Sequence, residues 1–179
     1  MKTKMAAALL LAAAPLLASP ETKPAPTLKS ILLEQFKTTH DNQDWFVPAS
    51  KAVEGLTAEQ ASWTPGKGSH SVAQLVSHLI FWDQQALAQL QGKPVPKFTG
   101  KNDETFDIVV NKETWNQMVK DLDRVLADWE KAIASADDAT IQKWANTVAH
   151  VSTHNAYHTG QILYVRKLQG SWNPEKGVK

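Results

Sequence analysis

Apolar residues recur every three to four positions in four stretches of this chain, and between those stretches the pattern breaks on proline, glycine and acids. The first, TLKSILLEQFKTTHDNQDWF (27–46), sets Leu28, Ile31, Leu32 and Phe36 at helical spacing. In the second, SVAQLVSHLIFWDQQALAQL, Val72, Leu75, Leu79, Trp82, Ala86 and Leu90 share one face, with Ser69 or Ser71 as the starting cap. The third, KETWNQMVKDLDRVLADWEKAIAS (112–135), aligns Trp115, Met118, Leu122, Leu126, Trp129 and Ile133. The fourth runs from about Thr140 to Leu168, its inner side marked by Trp144, Val148, Val151, Ile162 and Val165, and ends on Gly170 with Pro174 beyond. No segment alternates like a strand. The pattern therefore predicts an all-α four-helix bundle with helices of about 20 residues or more.

Two connections are long. Pro65, Gly66 and Gly68 predict an irregular segment in GLTAEQASWTPGKGSHS, and 92–111 holds two prolines and two glycines. The latter is long enough for a crossover in place of a simple up-and-down order. Trp82, Trp115, Trp129 and Trp144 are expected in the core, with Trp63 and Trp172 over the bundle ends.

The N-terminus changes the picture of where the bundle works. A basic MKTK precedes an apolar run, 5–18, interrupted by Pro15 and shorter than the ~20 residues needed to span a bilayer. It reads as a signal peptide cut after Ala18 or Ser19, followed by a Pro-rich tether (19–26), the domain proper (27–174) and a short tail (175–179). The expected destination is the bacterial periplasm or the medium, with no stable membrane span. Without a cysteine there is no lipid attachment, disulfide, thiolate ligand or cysteine nucleophile. Loss of Lys2 and Lys4 with the signal turns the formal charge from +1 to −1. A near-neutral domain has no electrostatic hold on nucleic acid, and Lys120, Arg124 and Lys131 are balanced by Asp121, Asp123, Asp128 and Glu130.

The chemistry sits in HVSTHNAYHTGQILYVRKLQG (150–170). At about 100° per residue His158 falls near the middle of the buried side, His154 on its flank one turn back, and His150 roughly 80° away at the edge. Histidines four apart can hold one metal ion; the alternative is a hydrogen-bonded or half-exposed pair. A third ligand must come from another helix, and His78 borders the apolar stripe beside Trp82. His70 is explained by capping or exposure, and His40, among polar residues, needs no special role. Three neutral imidazoles would leave a coordination position open and admit zinc, nickel, iron or manganese. Gly160 costs about 1 kcal/mol in a helix interior, which a close approach of a helix or ligand would justify. Gln161, on the flank of His154, can bond across helices or to a ligand's second nitrogen. Tyr157 and Arg166 are read as interhelix or rim residues.

SVAQLVSHLIFWD and HNAYHTGQILYVRKLQGSWNP together resemble the DinB/YfiT-like family of proposed metalloenzymes, as does WTPGKGSHSVAQLVSHL with its Trp-x-Pro connector. The resemblance implies His78, His154 and His158 as ligands, a four-helix bundle of unusual connectivity, one divalent metal ion and often a homodimer. It also implies kinship with thiol-dependent transferases and isomerases, in which the metal activates a low-molecular-weight thiol. Such thiols are mainly cytoplasmic, so an exported member favours hydrolysis over thiol transfer.

Two functions follow as expectations. The first is a divalent-metal-dependent enzyme acting on an unidentified small molecule, in which the open position lowers the pKa of water or a substrate thiol. There Gln161 and Asp83 support the ligands and Trp82 lies beside substrate. The second is a non-catalytic metal-binding or protein-interaction bundle sharing the same triad. An enclosed organic pocket at the triad would favour the first.

Overall fold

The computed structural model describes residues 24–178, so the signal-peptide segment lies outside the described residues, as does most of the tether. Six helices are present among the described residues: α1 (Leu28–His40), α2 (Ala49–Val53), α3 (Ala58–Ser62), α4 (Val72–Leu90), α5 (Lys112–Ser135) and α6 (Asp138–Gln169). Two 3-10 turns complete the set, at Asn102–Phe106 and Pro174–Lys176. No strand occurs among the described residues.

The four long helices start where the sequence offers an oxygen to a free backbone N–H. Thr27, Ser71, Asn111 and Asp137 each accept from the backbone N–H three residues on. Ser71 rather than Ser69 caps α4. Gly170, with φ of 76°, ends α6 in the left-handed conformation that glycine adopts without strain.

α1, α4, α5 and α6 form the bundle. α1 packs on α5 and α6, and α4 packs on α5 and α6, so α1 faces α4 across one diagonal and α5 faces α6 across the other. The long 92–111 connection joins neighbours, not a diagonal pair. The diagonal steps are made by 41–71, which carries α2 and α3, and by the short Ala136–Asp137 link. Simple up-and-down order is thereby excluded.

The apolar stripe of α5 is buried as its spacing predicts: Trp115, Met118, Leu122, Leu126, Trp129 and Ile133. Each such side chain contributes roughly 1.5–3 kcal/mol of burial free energy. Trp129 stacks on Phe36 of α1 at 5.3 Å and donates its Nε1–H to the Asp83 carbonyl at 3.1 Å, so one residue ties three helices. Trp115 donates to the Leu56 carbonyl at 2.9 Å. Trp82 and Trp144 are half-buried only, and Trp63 is exposed.

Two expectations need correction. α1 has 13 residues and α4 has 19, so not every bundle helix reaches 20. The 55–71 connector is not wholly irregular: Thr57 and Gln60 make a reciprocal capping box that starts α3, whose Ala58 and Ala61 are buried. Arg166 is an interhelix residue. It is buried, and its guanidinium donates to the carbonyls of Ala52 (2.6 Å), Glu54 (3.2 Å) and Ser171 (2.8 Å), fastening the end of α2 to α6. Arg166 also lies over the Trp172 ring at 5.2 Å, which places that tryptophan at a bundle end.

Candidate metal centre

The site lies where α4 and α6 meet, roofed by the Asn102–Phe106 turn. α4 contributes His78, 3% exposed; α6 contributes His154, half-buried, and His158, 6% exposed. One ring nitrogen from each of the three lies within 4.8 Å of the others. His78 Nε2 and His154 Nε2 are 3.1 Å apart. Two nitrogens on a tetrahedral ion at ordinary metal–imidazole distance would be separated by about 3.3 Å, so the pair already stands at ligand spacing.

The outer nitrogens determine which lone pairs face inward. Thr105 Oγ1 donates to the Asn102 carbonyl at 2.6 Å, so toward His78 Nδ1, also at 2.6 Å, it can only accept. His78 therefore carries its proton on Nδ1 and presents a bare Nε2. His158 Nδ1 lies 2.6 Å from Gln161 Oε1, a carbonyl oxygen and hence an acceptor, so His158 Nε2 is bare by the same reasoning. Gln161 is itself oriented by donating to Tyr157 Oη at 3.1 Å. With His78 Nε2 bare, the proton between the two Nε2 atoms belongs to His154. Shifting that proton to Nδ1, which has no partner among the described residues, frees the third lone pair.

Burial sets the charge state. Desolvation, reinforced by the other histidines, pushes His78 down to about 4. Desolvation and the neighbouring His154 push His158 to about 4 against the opposing bond to Gln161, and burial lowers His154 as well. All three imidazoles are thus neutral at neutral pH, the form a metal requires. Donor type, protonation and spacing fit a divalent ion.

The rings are held by aromatic packing. Phe106 is the middle of a three-ring stack, 3.9 Å from His70 and 4.1 Å from His78, with interplanar angles of 9° and 8°. His154 meets His158 edge-on at 4.5 Å. A cleft of about 650 Å³ opens beside the triad, and five of the six histidines line it, His40 being the exception.

The structure treats the other sequence candidates unevenly. Gln161 bonds directly to a triad ring. Trp82 lines the cleft and donates to Asn102 Oδ1 at 3.2 Å, within the turn that carries Thr105. Asp83 also lines the cleft but is fully buried, bonded to Asn155 Nδ2 at 3.0 Å, with no bond to any triad histidine. His150 sits exposed at the cleft mouth, as its wheel position predicts.

His70 does not cap α4; it is exposed and stacked on Phe106. Gly160 is not a point of close approach: a Cβ built there meets nothing within 4 Å. His40 is far from idle. It is 5% exposed, with Nδ1 2.6 Å from Glu130 and Nε2 3.0 Å from Asp123, joining α1 to α5. Thr105 and Phe106 escaped sequence reading because the 92–111 connection has no periodicity from which to place a side chain.

An all-helical bundle with a buried histidine triad beside an open cleft defines a class of small helical proteins able to hold a metal ion. The DinB superfamily model matches residues 49–162, more than half of the chain, and the chain belongs to that superfamily. The match spans His78, His154, His158 and the roofing turn. Neither the curated proteins nor the solved structures contain a match to the chain.

Proposed function

We propose that this protein is a divalent-metal-dependent enzyme whose ion is held by Nε2 of His78, His154 and His158, with an open position facing the cleft. The observation that carries the reading is the pair of outer hydrogen bonds, from His78 to Thr105 and from His158 to Gln161, which turn two lone pairs toward one point. When bound, the ion supplies Lewis-acid chemistry, activating water or a substrate donor group at neutral pH.

The chain's own residues orient that chemistry. Thr105 and Gln161 fix the tautomers, Phe106 covers one face of His78, and Trp82 and Tyr157 flank the opening. Zinc, nickel, iron and manganese all suit three imidazoles. Hydrolysis is favoured over thiol transfer if the 5–18 segment exports the domain, which is part of the same proposal.

The cleft favours this reading over a purely structural metal, which needs no adjoining cavity. Cobalt(II) loading separates the two. An open site gives visible bands that shift when azide or a thiol is added. A cobalt spectrum indifferent to both would mean a closed, structural site.

A further inference from the structure

The walls of the cleft have a chemistry apart from the triad. Trp82, Phe106 and Tyr157 give it aromatic surface. The Trp82 ring is braced from behind by edge contacts to Phe81 at 5.1 Å and Phe98 at 5.8 Å, and its indole N–H is already satisfied by Asn102. Phe106 is fixed in the histidine stack.

No lysine or arginine lines the cleft among the described residues. Two acids do. Asp83 is fully buried and bonded to Asn155, and desolvation raises its pKa well above the usual carboxylate range. Asp103, on the roofing turn, is exposed at the opening and makes no ion pair with a described residue. Carboxylates and phosphates are ordinarily recognised by arginine, lysine or backbone N–H groups, whereas ammonium groups are held by aromatic faces and carboxylates.

We infer that the cleft takes an aromatic or planar apolar small molecule, uncharged or carrying an amine. The inference rests on the proposed function only in treating the cleft as the substrate site. In that setting a lone-pair donor of the ligand faces the triad, its ring packs against Trp82 and the edge of Phe106, and its amine faces Asp103.

The test uses metal-free protein at neutral pH, so that no probe gains by coordinating an ion. para-Fluorobenzylamine, para-fluorobenzyl alcohol and para-fluorophenylacetate share one ring and differ in charge, and fluorine NMR reads their binding. The amine should bind about fivefold more tightly than the acetate, the advantage expected of one exposed charge contact, with the alcohol between them. Asp103→Asn should bring the amine down to the alcohol, and Trp82→Ala should weaken all three. Trp45→Ala, at a tryptophan 89% exposed and outside the cleft lining, should change none. An acetate that binds as tightly as the amine, or no binding of any probe at millimolar concentration, would overturn the inference. Metal content is measured separately, so failure of the ranking leaves the metal reading standing, and loss of the metal reading leaves the ranking intact.

Discussion

Thr105 accepts the Nδ1 proton of His78 at 2.6 Å while giving its own proton to the Asn102 carbonyl, and this two-bond chain leaves His78 only one tautomer. Metal-ligating histidines are commonly anchored through the second ring nitrogen, and loss of the anchor costs about 10–100-fold in affinity. Thr105→Val keeps the shape and removes the acceptor. It should leave the helical content unchanged and lower zinc affinity by about that factor, as should Gln161→Ala. Competition with a chromogenic zinc chelator measures both.

Asp83 should be dispensable as an acid. Desolvation raises its pKa well above 3.8, against the opposing hydrogen bond from Asn155. The folded protein therefore keeps a proton that the unfolded chain releases, and stability falls as pH rises from about 4 toward the folded value. Asp83→Asn removes that loss. The variant should be at least as stable as the parent at pH 7, with the gap in urea denaturation widening as pH rises and closing near pH 4. A variant less stable at every pH would show that the carboxyl group itself is needed.

His40 should behave in the opposite sense to the triad. Burial lowers its pKa, but the hydrogen bonds to Glu130 and Asp123 and the charge of Asp41 outweigh burial and hold it above 6.5. A raised folded pKa gives stability that is complete below 6.5, while the carboxylates stay ionised, and is lost as pH rises through the folded value. The stability difference between parent and His40→Gln should thus be largest near pH 6 and shrink toward pH 9. A difference independent of pH would mean that the imidazole is neutral between its two acids.

Gly160 should be replaceable. Nothing lies within 4 Å of a Cβ placed there, and the backbone is ordinary helix. Gly160→Ala should raise stability by about 1 kcal/mol through helix propensity. A chemical denaturation midpoint measures it, and a fall in stability would mean that something outside this chain occupies the position.

The sequence carried the α5 stripe residue for residue because a long amphipathic helix against one core leaves a strong period. It carried the triad because two of its members are one helical turn apart and the third borders an apolar face. α6 was harder. Ser152, Asn155, Thr159 and Arg166 are buried polar residues on its inner side, so its apolar pattern is interrupted where the site and the α2 clamp need hydrogen bonds. Thr105, Phe106 and the partners of His40 depend on which elements meet in space. His40 reaches Asp123 and Glu130 across more than 80 residues of chain, a pairing with no local trace. The diagonal placement of α5 and α6 is likewise a property of packing, since a short link normally joins neighbours.

Metal content tests the central claim most directly. The protein would be purified without an affinity tag or chelator and assayed by elemental mass spectrometry beside His158→Ala. Near-stoichiometric divalent metal in the parent, lost in the variant while the helical content persists, is the predicted result. No metal in the parent, even after reconstitution with zinc, nickel, iron(II) and manganese, would contradict the account.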